Sequence, residues 1–340
     1  MESGQCIIKA EGLCKDFRAN KKYPGIKGAV KSLFSREKVI TEAVKDVSFS
    51  VAKGEMVGYI GSNGAGKSTT IKMMTGILTP TSGRCLVNGI EPYKHRQKNA
   101  AGIGVVFGQR TQLWWDLPVT ESFSVLKGIY QVSDADFRKK MDYINDVLGV
   151  HEFQSQTVRT LSLGQRMRAD LGAALIHSPP ILYLDEPTIG LDVVVKENIR
   201  TAIRGMNDEF QTTVILTTHD MADIEELCGH IIIIDKGSII YDGTLGGLKD
   251  EYGSATLLQM QVGNPQAAAG LPVCADLSLP EEKIGVRAVP GGIEVSFDKG
   301  AVTSARLLAY YMGKTDVRDM SVKETDITAI VKSIYRNGGM

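Results

Sequence analysis

The 340-residue chain lacks any long apolar run; its uninterrupted apolar stretches, such as Ile231 to Ile234, extend for only a few residues. A bilayer-spanning helix needs about 20. No segment is therefore expected to cross a membrane, and the N-terminal residues lack the pattern of a signal peptide. A membrane role would have to come through a partner or a surface-lying segment. The five cysteines (Cys6, Cys14, Cys85, Cys228, Cys274) are scattered, with no C-x-x-C pair. Their spacing argues against a zinc site or a disulfide framework and suits a reducing compartment. Formal net charge is zero, so the bulk electrostatics give no footprint for nucleic acid. Only two tryptophans occur, and they are adjacent. Internal repeats and low-complexity tracts are absent. What remains is ordinary globular composition, 43% hydrophobic and 23% charged, in a chain long enough for about two domains.

Against this background one stretch is highly specific. Gly61-Ser62-Asn63-Gly64-Ala65-Gly66-Lys67-Ser68-Thr69 matches the phosphate-binding pattern G-x-x-x-x-G-K-[ST]. Met56 to Ile60 before it reads as a short buried strand. Ser68 to Leu78 after it reads as a helix with Ile71, Met74 and Leu78 on one face and Pro80 beyond its end. The glycines allow the backbone to curl and bring N–H groups to phosphate oxygens, and a helix N-terminus adds positive potential. In such a loop Lys67 contacts the β- and γ-phosphates, and the Ser68 hydroxyl is a Mg²⁺ ligand.

Further strands are expected at Cys6–Ala10, Leu13–Phe17, Val44–Val51, Cys85–Gly89, Ile103–Phe107, Pro179–Leu184 and Thr213–Thr217. Residues 18–42 are lysine-rich and look inserted. The periodicity is mostly helical from Leu117 to about Ala174, and again over Val193–Met206. Ile231–Ile234 and Ser238–Tyr241 form a hairpin pattern around Asp235-Lys236-Gly237. After Leu248 the character changes. Strand patterns at Ala255–Val262, Val286–Val289, Ile293–Phe297 and Val317–Val322 mix with helical spacing over Ala301–Met312 and from Ile327 to Tyr335. The expectation is an α/β nucleotide-binding domain over residues 1–248, with a helical subdomain at about 110–175. A small α+β accessory or dimerisation domain follows over 249–340.

Ile181 to Leu184 lead into Asp185-Glu186. A carboxylate at the end of so apolar a strand must be paired or metal-bound. Asp185 is expected to face Mg²⁺, and Glu186, one residue further out, to take a proton from an attacking water. Leu161-Ser162-Leu163-Gly164-Gln165 precedes an Arg/Ala/Leu-rich helix. Ser162 is a good N-cap, and Gly164 leaves the helix start open to an anion.

With these motifs in this order, residues 5 to 248 resemble the ATP-binding subunit of an ABC transporter. The family signature is L-S-G-G-Q, and this chain departs from it with Leu163 in the third place. The resemblance implies further positions. Gln109 matches the Q-loop glutamine that reaches Mg²⁺ and the water. Gly190-Leu191-Asp192 matches the D-loop, and His219 the switch histidine of the γ-phosphate. An aromatic residue in the first loop stacks on adenine in this family. Phe17, in Lys15-Asp16-Phe17, is the first choice and Tyr23 the reserve. The implied assembly is a dimer, of identical or closely related chains, with two ATP molecules sandwiched between one chain's Lys67 loop and the other's Ser162–Gln165 signature. It would sit peripherally on the cytoplasmic face of the membrane, bound to integral-membrane permease subunits and not to nucleic acid. The whole chain most resembles exporter ATPases with separate permeases. A soluble ATPase acting on ribosomes or DNA, and an importer ATPase, are the alternatives.

Two segments carry open readings. Trp114 and Trp115 either fill the helical subdomain or form a socket for a permease helix. In the insertion, Ile26, Val30, Leu33 and Phe34 share one helical face with Lys27, Lys31, Arg36 and Lys38 around or beyond it. That pattern suits a basic amphipathic helix on a membrane surface, or a solvated loop.

Overall fold

The computed structural model describes residues 5–21, 38–108, 110–252, 256–323 and 327–337. Gln109, Tyr23 and the apolar face proposed for Ile26, Val30, Leu33 and Phe34 lie outside the described residues. The chain divides into two compact units, 1–244 and 245–340.

In the first unit, strands β1 (Cys6–Asn20), β2 (Lys38–Ala52) and β4 (Ser82–Val87) form an antiparallel sheet in the order β2-β1-β4. Strand β1 is continuous where two short strands were expected, and register shifts between Ala10, Leu13, Lys15 and Asp16 absorb the irregular alternation. The supposed insertion also begins later than its composition suggests. Arg18, Ala19 and Asn20 pair with Ile40, Val39 and Lys38, so both flanks of the segment belong to the ladder. Their exposed side chains carry no alternation that would have revealed a strand.

The second sheet of this unit holds β3 (Met56–Gly61), β5 (Ile103–Phe107), β6 (Ile181–Asp185), β7 (Thr213–Thr217), β8 (His230–Asp235) and β9 (Ser238–Thr244). Its order is β5-β6-β7-β3-β8-β9, parallel except for the β8–β9 hairpin. The strands are near-continuous apolar runs because both faces are covered. Ile181, Leu182, Tyr183 and Leu184 are each 0% exposed. The order puts β7 between the phosphate-loop strand β3 and the carboxylate strand β6. Asp185 stands beside Thr217 in register. All three strands end on the same edge, where loops of a parallel sheet collect ligands.

The helical stretch resolves into helices Val119–Ile129, Asp134–Leu148 and Leu163–Leu175 with two single 3₁₀ turns between the latter two. Trp114 and Trp115 are 39% and 50% exposed, so they do not fill a core. Helices Arg96–Ala101 and Met221–Leu227 were not anticipated; each is barely two turns or less.

The second unit is a four-stranded antiparallel sheet, ordered β11 (Ile284–Val289), β12 (Gly292–Phe297), β10 (Thr256–Val262), β13 (Val317–Lys323). Leu258, Met260, Ile293, Val295 and Phe297 pack with Leu307 and Tyr311 of helix Ser304–Met312. The last helix, Ile327–Asn337, packs against helix Leu245–Tyr252. Ile327, Ile330 and Ile334 are at most 3% exposed. That face is therefore packed within the chain.

Candidate nucleotide site

The loop between β3 and helix Lys67–Met74 takes its shape from glycine. Gly66 has φ 111°, and a Cβ there would lie 2.6 Å from the Ala43 carbonyl oxygen. Only glycine tolerates both the angle and the contact. The helix starts at Lys67 and ends at Met74, earlier than the apolar spacing suggested, because Gly76 turns left-handed at φ 80°. Lys67 Nζ donates to the carbonyl oxygens of Gly61 at 2.6 Å and Ser62 at 3.2 Å. Burial holds its ammonium below the usual lysine range, and the nearby charges of Glu186 and Asp185 pull it part of the way back. Ser62 Oγ donates to Asp235 Oδ1 at 3.2 Å, so the end of β8 also steadies the loop.

The carboxylates meet this loop as their strand order requires. Ser68 Oγ donates to Asp185 Oδ2 at 3.4 Å, and Thr217 Oγ1 donates to Asp185 Oδ1 at 2.5 Å. The two hard oxygen donors of Ser68 and Asp185 at the start of the helix are the donor chemistry that Mg²⁺ takes. Glu186 is left-handed, with φ 56°. Its N–H donates to Thr217 O at 2.9 Å and lies 3.2 Å from Thr217 Oγ1. That geometry turns its carboxylate to His219, whose Nε2 is 2.8 Å from Glu186 Oε1. Sequence reasoning missed Thr217. Its signal was a hydroxyl closing the apolar run Val214-Ile215-Leu216 just before His219.

A cleft of about 680 Å³ is lined by Phe17, Ser68, Thr69, Phe107, Asp185 and Glu186 among others. Phe17 is 41% exposed, a ring available on the wall of the same cleft as the loop. Gly108 and Arg110, on either side of Gln109, line it too. A Cβ on Gly108 would sit 2.1 Å from the Glu186 carbonyl oxygen, and Gly108 N donates to Asp185 O at 2.7 Å. The backbone leading to Gln109 is thus fastened directly onto the carboxylate segment.

The signature segment stands apart. Ser162 and Gln165 form a capping box, Ser162 Oγ accepting from Gln165 N at 3.2 Å and Gln165 Oε1 accepting from Ser162 N at 3.0 Å. Gly164 faces Val195, with 3.0 Å from its Cβ position to Val195 Cγ1. Asp192 caps the helix carrying Val195 by accepting from Val195 N at 3.0 Å. The residue that departs from the signature, Leu163, reaches Gly190, with Cδ2 3.2 Å from its Cβ position. Signature and D-loop therefore form one surface, and the hydrogen bonds between Ser162 and Gln165 close within that turn.

The comparisons agree with this geometry. The ABC transporter family profile matches residues 44–189. The ABC transporter ATP-binding protein NatA of Bacillus subtilis is 32% identical over 224 residues, 66% of this chain and 91% of NatA. The linearmycin resistance ATP-binding protein LnrL of the same organism is 36% identical over 219 residues, 64% of this chain and 70% of LnrL. A dimeric ATP-binding cassette in a post-hydrolysis state, bound to ADP and Pi, superposes with TM-score 0.58 at 25% identity, covering 70% of this chain and 98% of that one. The phosphate loop, the Ser68–Asp185 and Glu186–His219 contacts, and these likenesses place the chain in one family: it belongs to the ATP-binding, ATP-hydrolysing subunits of ABC transporters.

Proposed function

We propose that this chain powers export through a separate integral-membrane permease, acting as a dimer on the cytoplasmic face of the membrane. The observation that carries the catalytic part is the convergence of Lys67, Ser68, Asp185, Glu186 and His219 on one edge of the parallel sheet. In this reading Gly61 to Thr69 cradle the phosphates, with Ser62, Asn63, Gly64, Ala65 and Gly66 offering backbone N–H groups. Phe17 stacks on adenine. Lys67 leaves its carbonyl partners for the β- and γ-phosphates. Ser68, Asp185 and Gln109 hold Mg²⁺, which supplies charge neutralisation between the phosphates when bound. Glu186 accepts a proton from water placed for in-line attack on the γ-phosphorus, and His219 holds both Glu186 and the γ-phosphate oxygens. Ser162, Gly164 and Gln165, with Asp192, present an open helix start to the nucleotide of the second chain.

Export is supported by the names of the relatives, one of which is a resistance protein. Docking to a permease is supported by the exposed Trp114–Trp115 pair on the segment after Gln109, since aromatic anchors dominate docking energies. Among the described residues no helix is long and apolar enough to cross a membrane. The test is purification from native membranes in mild detergent. An integral-membrane protein should co-purify, and Trp114→Ala with Trp115→Ala should release it while ATP turnover of the free chain is retained. Recovery of the chain without any membrane protein would sink the proposal.

A further inference from the structure

The contact between Glu186 and His219 joins the two loops that follow β6 and β7, which the bonds from Glu186 N–H to Thr217 tie at their base but not along their length. Glu186 starts the turn after β6, and His219 lies two residues past β7. A non-glycine residue at φ 56° is strained and persists only where its surroundings over-determine it. Part of that constraint is buried behind the pair. Asp223, in helix Met221–Leu227, is 0% exposed. Its Oδ2 accepts from Thr188 Oγ1 at 2.6 Å and from Thr218 Oγ1 at 2.8 Å, and its Oδ1 accepts from Arg200 Nε at 2.7 Å. Thr188 and Thr218 are 3% and 2% exposed, and Arg200 is 8% exposed.

A carboxylate so deeply buried is tolerated only with its lone pairs filled and its charge opposed. Here the donors come from three separate parts of the chain. Arg200 supplies the opposing charge from helix Val193–Phe210 and reaches Glu226 at 3.0 Å and Glu197 at 3.4 Å as well. The two threonines come from the loops themselves: Thr188 is two residues beyond Glu186, and Thr218 immediately precedes His219. Thr218 Oγ1 also accepts from Asp220 N at 3.0 Å, and Asp220 Oδ2 takes Lys196 Nζ at 2.6 Å. None of these groups lines the cleft that Ser68, Asp185 and Glu186 share.

We propose that Asp223 is a positioning residue for hydrolysis: by binding Thr188 and Thr218 on one oxygen, it fixes the separation of the loops that carry Glu186 and His219. The inference rests on the reading of Glu186 and His219 as the hydrolytic pair. It separates turnover from nucleotide binding, because the phosphate loop is held by other contacts, those of Gly66, Lys67 and Ser62. Positional errors near reacting atoms cost up to about 100-fold in rate without any change in the reacting groups.

The test uses the purified full chain and steady-state ATP hydrolysis. Thr188→Val keeps the volume and removes the donor; Thr188→Ser keeps the donor. Thr188→Val should lower kcat by about 10- to 100-fold with KM for ATP within about 2-fold, and Thr188→Ser should stay near the parent. Thr218→Val should behave likewise, and the double Val variant should fall short of the product of the two single effects, since both act through one oxygen. A lowered melting temperature with unchanged kcat in the Val variants would make the cluster merely structural and overturn the proposal. Glu186→Gln is run beside them. If that control also turns over normally, the hydrolytic pair and its clamp both fall; if only the control is slow, the clamp alone falls.

Discussion

At the scale of the residue, Glu186 and Asp185 show how neighbouring carboxylates acquire different work. Asp185 is the last residue of β6 and is bound on both oxygens, by Thr217 and Ser68. Its Oδ2 meets the Ser68 hydroxyl at the start of the phosphate-loop helix, which suits a metal ligand. Glu186 has left the strand, its backbone turned left-handed, and its Oε1 meets His219, itself 48% exposed. A carboxylate on the wall of the cleft, beside a histidine, suits proton transfer. Glu186→Gln keeps size and hydrogen-bonding reach and removes the base. ATP binding should persist, and turnover should fall by about 10²–10⁴-fold, the scale of a lost general base. Nucleotide binding measured by fluorescence titration beside phosphate release decides it; normal phosphate release from this variant would remove Glu186 from the mechanism.

At the scale of the element, the signature helix Leu163–Leu175 is tied to the chain beyond Gln109 through a buried acid. Asp170 is 4% exposed and accepts from Thr111 Oγ1 at 2.8 Å and from Gln112 N at 3.0 Å, while Gln112 Nε2 donates to Asp170 O at 3.0 Å. Burial pushes its carboxyl up to about 6 from 3.8, the bonds from Thr111 and Gln112 opposing the shift. A carboxyl raised in the folded state contributes stability that is complete below about 3.8 and is lost as pH rises through about 6. The span corresponds to a contribution on the order of 2–3 kcal/mol. Asp170→Asn removes that titration. The difference in melting temperature between variant and parent should therefore change across pH 4 to 7 in favour of the variant, and thermal unfolding in a pH series checks it. A constant difference would mean that Asp170 titrates as an ordinary surface acid.

Much of this element level was legible in the sequence. The Gly-Lys-Ser run and the apolar strand into Asp185 announce themselves, because a phosphate loop and a buried parallel strand each need a narrow choice of residues over consecutive positions. The Ser162–Gln165 capping box is local for the same reason. The Asp223 cluster was not legible, since Thr188 and Asp223 are 35 residues apart and meet only once β6 and β7 are paired. Nor was the outer ladder of β1 and β2, whose exposed side chains obey no period. Leu78 shared a helical spacing with Ile71 and Met74, yet it lies past the turn at Gly76, where backbone conformation overrides periodicity.

At the scale of the whole molecule, the reading proposed above makes the phosphate loop and the signature segment two halves of a site that one chain does not complete. The phosphate loop spans Gly61 to Thr69, while the capped start of the signature helix packs on Gly190 and Val195 on the D-loop side. Around it Ile189, Val193 and Val194 are 37%, 81% and 70% exposed, an apolar rim that a lone chain leaves to water. A formal net charge of zero puts no long-range repulsion between two copies. Nucleotide at one chain's loop would supply the anion that the other chain's helix start lacks. Dimerisation should therefore need ATP and should accumulate when hydrolysis is slow. Glu186→Gln should sediment as a dimer with ATP and as a monomer without it. Adding Gly164→Glu should abolish the dimer by setting a carboxylate against the γ-phosphate. Because a Cβ at Gly164 already approaches Val195 at 3.0 Å, Gly164→Ala in the same background is the control for crowding. It should weaken the dimer much less than the glutamate does. Sedimentation that shows only monomer for Glu186→Gln with saturating ATP at high protein concentration would refute the shared site, and equal loss with alanine and glutamate would replace charge repulsion by packing as its cause.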